Sequence, residues 1–326
     1  MRSRPRILAI GYGVKPTGFA RVLESVMGHL HDQFEFHHFA MNWTGSPPVR
    51  RWVVHPNRVE GDPFGRLQVP VLLEQLRPDL VFMNHDFWIY HVHREALEQS
   101  RPHTRSILYC PVDGALMRPG DLSALWGLDC LVAYTRFGAD QLRGVFAPAG
   151  FRDADSPAAP PIRVIPHGID TRVFHPIAND VTFTVPELGR RRARQALLPD
   201  WPDLDRAFLV LNANRNNYRK RLDITIEGFA LFARGKPASV KLYLHAPIPG
   251  AEPALQATYD RLRGEDRVLH TPAAGALFPS VSDKTLNLIY NACDVGLNTA
   301  SGEAWGLISF GCGSFGTTLS DNKTAT

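Results

Sequence analysis

The chain has 326 residues, enough for two domains of about 150 residues each. Hydrophobic residues make up 44% of it and charged residues 21%, which is an ordinary globular composition. The formal net charge of +4 is small for this length, so it fits an anionic small molecule in a local pocket and argues against a nucleic-acid-binding surface.

The cysteines and the first apolar run bear on the compartment. No C-x-x-C motif occurs, and the thiols mostly lie in apolar runs, which predicts buried free thiols in a reducing compartment: Cys110, Cys130, Cys293 and Cys312. The run from Ile7 to Ile10 is too short to span a membrane and leads into a glycine turn. We therefore expect a cytoplasmic protein without a signal peptide, and peripheral contact with the inner face of the membrane stays open.

Short apolar segments alternate with helix-compatible segments in the first half. We predict strands at residues 6–11, 34–41, 79–83, 106–110 and 129–134, and helices at 16–30, 67–76 and after Thr135, which caps the last one. The strands are apolar throughout, which is typical of a parallel sheet covered on both faces. Ligands of such sheets bind beyond the carboxyl ends of the strands.

The turn after the first strand reads Gly11-Tyr12-Gly13 and is followed by Pro16. It is not the G-x-G-x-x-G motif of dinucleotide-binding domains, because proline occupies the third glycine position. The end of the second strand also lacks the acid that holds an NAD ribose. A nicotinamide enzyme is therefore disfavoured, and on its own the turn indicates only tight strand-to-helix geometry.

Two further strand ends in the first half carry polar groups, Asn84-His85-Asp86 and Asp113-Gly114. His85 is either a group that acts on a ligand or a packed, hydrogen-bonded histidine, and both interpretations stay open. Asp113 also fits a simple turn. His91 and His93 do not complete a metal site with His85 and Asp86, because residues two apart on a helix diverge.

The second half repeats the alternation. We predict strands at residues 207–211, 240–245, 267–270, 294–297 and near 317–319, and helices ending near 233 and spanning 253–263 and 283–292. Before them comes a basic run, Arg190 to Arg192 with Arg194, which we interpret as a solvated helix face.

Cations follow the first strand of this second half. Arg215 and Lys220 lie at the carboxyl end of that strand and in the first turn of the next helix. Positive charge there opposes the helix dipole, so an anionic ligand is expected to offset it. Arginine can contact two phosphate oxygens at once, whereas lysine acts as a mobile point charge.

The stretch from Ser301 to Gly311, S-G-E-A-W-G-L-I-S-F-G, follows strand 294–297 after a small polar turn. A strand, a glycine turn and an acid, Glu303, at the first helical turn would direct backbone N–H groups and a positive helix end toward a ligand. This geometry fits a diphosphate. The Glu303 carboxylate is too close for a pure anion site, so we expect it to bind a neutral polyol beside the phosphate, namely a sugar.

Three segments resemble glycosyltransferase family 4, whose members are retaining enzymes with the GT-B fold. Asp294 to Leu307 is similar to the donor-site segment, Asn212 to Asp223 to the diphosphate-binding segment, and Val164 to Pro176 to the interdomain run. The resemblance implies an α/β protein of two Rossmann-like domains with parallel sheets facing across a cleft. Residues 1–175 would form the acceptor-side domain, and residues 176–326 a partial donor-binding domain.

The resemblance also implies roles for donor-side residues. Glu303 would lie near the donor sugar, and Arg215 and Lys220 at its diphosphate. The N–H groups around Gly306 and Leu307 would lie near the phosphates.

Other implied roles fall in the first domain. Gly18, in the N-terminal loop, would lie across the cleft from the donor phosphates, and His85, Asp86 and Asp113 would line the acceptor side. The residues expected to carry catalysis are Glu303, Arg215, Lys220 and His85.

The implied activity is that of a hexosyltransferase-type glycosyltransferase, which moves a sugar from a nucleotide diphospho-sugar to an acceptor hydroxyl with retention. The acceptor would be a glycan, a lipid-linked molecule or a small molecule. No nucleic-acid partner is expected, and the reaction needs neither a metal nor another cofactor.

Two departures from the family pattern leave alternatives open. The pattern is Glu-x7-Glu, and Gly311 stands where the second Glu would hold the ribose hydroxyls. The chain also ends at Thr326, where the family continues with further elements. A catalytically impaired nucleotide-sugar-binding relative and a GT-B-fold nucleotide-sugar isomerase are therefore the alternatives.

Overall fold

The computed structural model describes residues 4–14, 17–115, 122, 125–146, 159–177, 186–199, 201, 206–246, 253–271, 281–309 and 318–321. The chain divides into two compact units between His167 and Gly168. This boundary lies inside the segment from Val164 to Pro176 that resembles an interdomain run.

The first unit contains a seven-stranded sheet. Its elements are β1 (Arg6–Gly11), α1 (Gly18–Leu30), β2 (Glu35–Ala40), β3 (Val53–Pro56), α2 (Gln68–Leu76), β4 (Leu80–Asn84), a 3-10 turn (Phe87–Ile89), α3 (Tyr90–Ser100), β5 (Arg105–Cys110), β6 (Cys130–Ala133), α4 (Arg136–Phe146) and β7 (Ile162–Val164). The order is β3-β2-β1-β4-β5-β6-β7, and all pairs are parallel. The carboxyl ends of these strands therefore share one edge.

Successive side chains of β1 enter two different cores. Leu8 and Ile10 belong to the larger core, whereas Ile7 and Ala9 pack against the α1 side of the sheet. Because both faces are covered, every interior position of the strand is apolar. The predicted parallel sheet is confirmed, and so is the cap on α4, where Thr135 Oγ1 accepts from Gly138 N over 3.0 Å.

The edge strand β3 has no counterpart in the sequence-based prediction. It spans four residues and ends in Pro56, and only two of its residues, Val54 and Pro56, are buried. Val53 is 50% exposed. So short a segment gives little periodicity, and a proline is tolerated in a sheet mainly on an edge strand.

The second unit contains a five-stranded parallel sheet. Its elements are α5 (Pro186–Leu197), β8 (Phe208–Asn212), a 3-10 turn (Tyr218–Lys220), α6 (Leu222–Phe232), β9 (Val240–Leu244), α7 (Pro253–Gly264), β10 (Val268–His270), α8 (Asp283–Ala292), β11 (Val295–Asn298) and β12 (Thr318–Asp321). The strand order is β10-β9-β8-β11-β12. The central strands β8 and β11 pair through Val210 and Val295, so their carboxyl ends are adjacent.

The interpretation of the basic run as a solvated helix face is wrong for two of its members. Arg194 is 3% exposed, and its Nη2 lies 2.6 Å from Asp294 Oδ2. Arg190 contacts Oδ1 of the same carboxylate at 3.0 Å. Helix α5 packs against α8, which covers one side of the run, while Arg191 and Arg192 remain exposed. Periodicity within the run could not show which side would be covered.

The described cysteines are free thiols, as predicted: Cys110, Cys130 and Cys293. Burial raises the pKa of Cys110 and of Cys130, so both thiols stay protonated at neutral pH. Cys312 lies outside the described residues.

Aromatic side chains pack around His167, the residue that precedes the boundary between the two units. The Tyr109 hydroxyl donates to Ile165 O over 2.8 Å and lies 2.7 Å from His167 Nδ1, so Nδ1–H donates to it. The His167 ring also packs on Tyr134, with 4.0 Å between the ring centroids. Burial lowers the pKa of His167 to about 4, which leaves this histidine neutral.

Candidate functional site

Lys220 and Glu303 meet at the carboxyl edge of the second sheet. Lys220 ends the 3-10 turn that follows β8, and Glu303 lies in the loop that follows β11. The Lys220 ammonium forms an ion pair with Glu303 Oε1, and the two side chains are 12% and 21% exposed. Partial shielding from water makes such a pair stronger than a pair on the open surface.

Arg219 joins this pair, although the sequence did not single it out. Its Nη1 lies 3.2 Å from Glu303 Oε2 and also donates to the Gly302 carbonyl. The Arg219 carbonyl in turn accepts from Ser301 N over 2.9 Å. One residue therefore holds the loop of residues 301–303 through both its backbone and its side chain. The only sequence signal is its position beside Lys220 in a run of three cations.

The two predicted cations have different surroundings. Arg215 is exposed and lies in the loop after β8, where its carbonyl accepts from Asn217 N over 3.0 Å. Lys220 is shielded, and its backbone N–H is capped by Asn217 Oδ1 over 3.1 Å. The structure thus brings Lys220 and Glu303 together and places Arg215 in the same loop as Lys220.

The backbone around Glu303 differs from the expected helical turn. Glu303 lies in irregular structure, and the helical residues begin only at Leu307. Gly306 between them has φ +76°, a left-handed conformation that favours glycine over residues with a Cβ atom. The glycine turn therefore follows the acid instead of preceding it.

A buried chain of amides and hydroxyls lies beneath the two loops. Asn212 Nδ2 donates to Thr225 Oγ1 over 2.7 Å, and Thr225 Oγ1 lies 2.8 Å from Thr299 Oγ1. The Thr299 hydroxyl donates in turn to the Arg221 carbonyl over 2.8 Å. All four groups are thereby connected across β8, α6 and the loop after β11.

The Arg221 backbone is held in the left-handed region, with φ +48° and ψ +49°. A residue with a Cβ atom adopts this region at a cost of about 1–3 kcal/mol unless its surroundings impose it. Here the Thr299 hydroxyl and the Arg221 N–H bond to Tyr218 O fix it. The turn directs the Arg221 side chain to Asp223, with Nη2 2.7 Å from Oδ2, and leaves Arg219 and Lys220 on Glu303.

In the first unit, His85 lies at the carboxyl end of β4 inside a group of aromatic rings. It is 2% exposed, and its ring stacks on Phe19 with 4.7 Å between centroids and an interplanar angle of 11°. Tyr12 meets it edge-on at 4.7 Å, and Phe64 and Trp88 approach at 6.4 Å.

The hydrogen bonds of His85 fix its tautomer. Asp86 N donates to His85 Nδ1 over 2.8 Å, so Nδ1 is the acceptor and the neutral ring carries its proton on Nε2. Burial lowers the pKa of His85 to about 4, which keeps it neutral at pH 7. Within the described residues Nε2 has no hydrogen-bond partner. A buried donor without a partner costs about 1–3 kcal/mol, which marks this atom as a candidate ligand contact.

The other predicted residues of the first unit lie at the same edge of its sheet. Asp86 and Asp113 are half-buried and follow β4 and β5. Burial raises the pKa of Tyr134, and Cys110, Tyr109 and the carboxylates of Asp86 and Asp113 add to that effect. Gly18 is the exposed first residue of α1, after its cap Thr17.

Packing accounts for the glycine turn after β1. A Cβ atom on Gly13 would lie 2.0 Å from Cε1 of the buried His38 ring. A Cβ atom on Gly11 would lie 3.0 Å from the Asn84 carbonyl and 2.8 Å from Leu23 Cδ2. Both glycines are therefore needed for close packing against neighbouring elements, a long-range reason that the turn sequence did not reveal.

Gly311, the departure from the Glu-x7-Glu pattern, lies outside the described residues. No helix in the described part of the chain is both long enough and apolar enough to cross a membrane.

Solved structures provide the comparison for this fold. HepE of Anabaena, in complex with UDP and glucose, is similar with a TM-score of 0.66 and 18% identity over 97% of this chain and 80% of that chain. WaaG, a glycosyltransferase involved in lipopolysaccharide biosynthesis, is similar with a TM-score of 0.65 and 13% identity, over 96% of this chain and 80% of that chain. The α,α-trehalose 6-phosphate synthase of Burkholderia multivorans has a TM-score of 0.63 and 14% identity, over 96% of this chain and 82% of that chain.

Comparison by sequence gives no relative, since no family model and no curated protein matches the chain. At such low identities the structural likeness establishes the fold. The chain has the predicted GT-B fold, an α/β architecture of two units with parallel sheets.

Proposed function

We propose that this protein is a glycosyltransferase that moves a sugar from a nucleotide diphospho-sugar to an acceptor hydroxyl. The observation that carries the proposal is the contact of Lys220 and Arg219 with Glu303 at the carboxyl edge of the second sheet. Lys220 and Arg219, two cations suited to phosphates, both contact the Glu303 carboxylate, which is suited to sugar hydroxyls. The GT-B fold and the three structural neighbours support the same assignment.

The cations would act on the leaving diphosphate. Negative charge grows on this group as the bond to the sugar breaks, and fixed donors stabilise that charge without reorganisation. Lys220 and Arg219 would supply this field, with Arg215 reaching the phosphates from the exposed loop. Removal of one such donor from an active site typically costs about 3–4 kcal/mol of barrier. The N–H groups around Gly306 and Leu307 complete the proposed donor site.

His85 would hold a hydroxyl of the reacting sugars. Its Nε2–H is a buried donor in a neutral ring, and a sugar oxygen is a suitable acceptor. Asp86 and Asp113, at the same sheet edge, would bind acceptor hydroxyls through their carboxylates. Gly18 would approach the donor phosphates from the first turn of α1.

Two finer points rest on the resemblance to family 4, namely retention of anomeric configuration and a reaction without a metal or other cofactor. The cytoplasmic location, with contact at the inner membrane face, is a proposal that rests on the thiols and the short first apolar run. A functional division at residue 175 is a proposal too, and it lies eight residues beyond His167, where the first compact unit meets the second. The acceptor class, whether glycan, lipid-linked or small molecule, is a proposal of the same kind.

A thermal-shift panel of UDP-, GDP- and ADP-sugars tests donor binding. We expect one nucleotide class to raise the Tm of the wild type and to have a much smaller effect on Arg215→Ala. Arg143→Ala, which breaks an exposed ion pair with Asp140 on α4, serves as the control for loss of one arginine. Equal shifts in wild type and Arg215→Ala would remove Arg215 from the site, and no shift with any sugar nucleotide would contradict the proposal.

Product analysis separates the proposed activity from its alternatives. Release of free nucleoside diphosphate that depends on an added acceptor supports glycosyl transfer. Binding without turnover indicates a catalytically impaired relative. Interconversion of the sugar without any acceptor indicates an isomerase.

A further inference from the structure

The cations of the proposed donor site already hold an anion that belongs to the chain. Lys220 contacts Oε1 of Glu303, and Arg219 Nη1 contacts Oε2 at 3.2 Å. Both oxygens of the carboxylate are thus engaged by groups that the proposed function assigns to phosphates. A diphosphate and Glu303 cannot both occupy the same face of the Lys220 ammonium.

We propose that Glu303 is an internal competitor for the diphosphate site, and that donor binding transfers Lys220 from the Glu303 carboxylate to a phosphate. This inference rests on the proposed function and goes beyond it, because it assigns Glu303 a role in the choice between ligands. The released carboxylate is then available to the sugar. Glu303 thereby determines the preference for a sugar-bearing nucleotide over the free diphosphate.

The physical reason is that the charges of Lys220 and Glu303 are partly shielded from water and must be compensated by neighbouring groups. Lys220 and Glu303 are 12% and 21% exposed, so neither charge is fully hydrated and each requires a partner. A diphosphate carries more negative charge than one carboxylate and therefore competes for Lys220. It also repels Glu303, whose carboxylate then needs new donors. Sugar hydroxyls supply them, because an ionised carboxylate only accepts hydrogen bonds.

Arg219 would keep the backbone in place during this exchange. Its carbonyl accepts from Ser301 N over 2.9 Å and from Ser301 Oγ over 3.2 Å, and its Nη1 donates to Gly302 O. Rotation of the Glu303 side chain would therefore suffice, while the loop remains attached. Arg219 is a positioning residue in this scheme, and its 37% exposure leaves its guanidinium room to follow either partner.

Inorganic pyrophosphate is the direct probe, because it carries the phosphates without base or sugar. We expect Glu303→Gln, which removes the charge but keeps the shape, to bind pyrophosphate about tenfold more tightly than the wild type in calorimetry. This corresponds to the loss of one partly shielded competing charge. A residue that merely contacts the ligand would give unchanged or weaker binding, and either result would overturn the inference.

Two controls separate the specific exchange from a general change of charge. Asp223→Asn removes a carboxylate three residues from Lys220 that pairs with Arg221, and Glu98→Gln removes one that pairs with Arg94 on α3. We expect each to change pyrophosphate affinity less than about twofold, since neither carboxylate contacts Lys220 in the structure. If Asp223→Asn bound pyrophosphate as much more tightly as Glu303→Gln does, the cause would be the general loss of negative charge near the site, and the inference would be overturned.

A second measurement uses UDP and UDP-glucose as the probe pair. We expect Glu303→Gln to lose most of the preference for UDP-glucose over UDP, because the amide no longer competes and no longer binds the hydroxyls as a carboxylate. Glu303→Asp keeps the charge at a shorter reach and should fall between wild type and Glu303→Gln in pyrophosphate affinity. This variant tests the inference if Glu303→Gln does not fold.

Failure of the inference and failure of the proposed function give different results. If neither pyrophosphate nor any sugar nucleotide binds the wild type, the donor site itself is refuted. If they bind and Arg215→Ala weakens them while Glu303→Gln binds pyrophosphate no more tightly, only the exchange is refuted.

Discussion

Asn214 Nδ2 donates to Asn298 Oδ1 over 3.0 Å, and this buried bond joins the loop that follows β8 to the last residue of β11. Asn298 continues the connection, since its Nδ2 donates to Ser309 Oγ over 3.1 Å. The same Oδ1 accepts from Ala300 N over 3.2 Å. The positions of Lys220 and Glu303 thus depend on amides that never touch them.

Replacement of Asn298 by alanine should loosen both loops. The change leaves Asn214 Nδ2 buried without its acceptor and removes the bond to Ser309, each at about 1–3 kcal/mol. We expect the free energy of unfolding in urea to fall by about 2–4 kcal/mol for Asn298→Ala. Ser309→Ala removes only the last bond and should cost about 1 kcal/mol. Equal losses in the two variants would show that the Asn214 bond contributes nothing.

The buried ion pair of Arg194 with Asp294 predicts a contrast within one helix. Arg194→Ala leaves the Asp294 carboxylate with Arg190 and the Leu209 N–H, and should destabilise the protein by about 3–5 kcal/mol, since a partly buried charge loses its most buried cationic partner. Arg191→Ala, on the exposed side of α5, should change stability by less than about 0.5 kcal/mol. Chemical denaturation of both variants measures this difference, and similar small effects would refute the structural role of Arg194.

Replacement of two glycines of the first unit by alanine should change the stability of the protein in opposite directions. Gly13→Ala places a Cβ atom 2.0 Å from the His38 ring and should lower the Tm, because the buried ring has no room to move. Gly28 lies within α1, and a Cβ atom there meets nothing within 4 Å. Gly28→Ala should raise stability by about 1 kcal/mol through helix propensity. A neutral Gly13→Ala would show that packing does not require this glycine.

Buried histidines predict a loss of stability in acid. Burial lowers the pKa of His38, His85, His93 and His167 to about 4 in the folded protein, against an ordinary value of 6.5. Between these values the unfolded chain binds protons that the folded chain does not. The free energy of unfolding therefore rises with pH across this window and falls as the pH is lowered from 6.5 toward 4.

The contribution of a single buried histidine to this pH dependence of stability can be measured. Each buried histidine contributes at most about 1.4 kcal/mol per pH unit to the slope. We expect His93→Gln to reduce the slope of unfolding free energy between pH 5 and 6, values inside the window set by the pKa shifts, by about that amount. An unchanged slope in His93→Gln would contradict a neutral His93 in the folded state.

His85 Nε2–H has no partner in the described part of the chain, so we expect its removal to lower activity without lowering stability. His85→Phe keeps the ring that packs between Phe19 and Tyr12 but removes the donor. We expect kcat/KM for the donor found in the nucleotide panel to fall by about 10- to 100-fold, the scale of one hydrogen bond to the reacting sugar. The Tm should change little, because the loss of a buried donor that has no partner among the described residues offsets the loss of the Nδ1 acceptor of Asp86 N. Unchanged kinetics would place His85 outside the reaction.

Much of the fold follows from local patterns in the sequence. Strand β1 and helix α8 have the predicted bounds of residues 6–11 and 283–292, because apolar runs and helical periodicity are local signals. Thr135 caps α4 for the same reason, since a cap acts within three residues. The short edge strand β3 escaped prediction because four residues carry too little periodicity.

The candidate site was predicted in part. Lys220 and Glu303 are chemically distinctive at strand ends, so the sequence singled them out as partners for a common ligand. It could not distinguish Arg219 from Arg221 in one run of cations. That choice depends on the left-handed turn at Arg221, which sends one side chain to Asp223 and leaves the other at Glu303.

The sequence by itself determined the alternation of strands and helices, the covered parallel sheets and the types of residue at the strand ends. Tertiary structure alone decided that Lys220 meets Glu303 across 83 positions of chain, that Arg194 is buried, and that His85 Nε2 has no hydrogen-bond partner among the residues that the structure describes. The physical reason is the distance along the sequence over which each interaction acts. Periodicity, capping and turn preference act within a few residues, whereas these contacts depend on which distant strands pair and which helix faces they bring into contact.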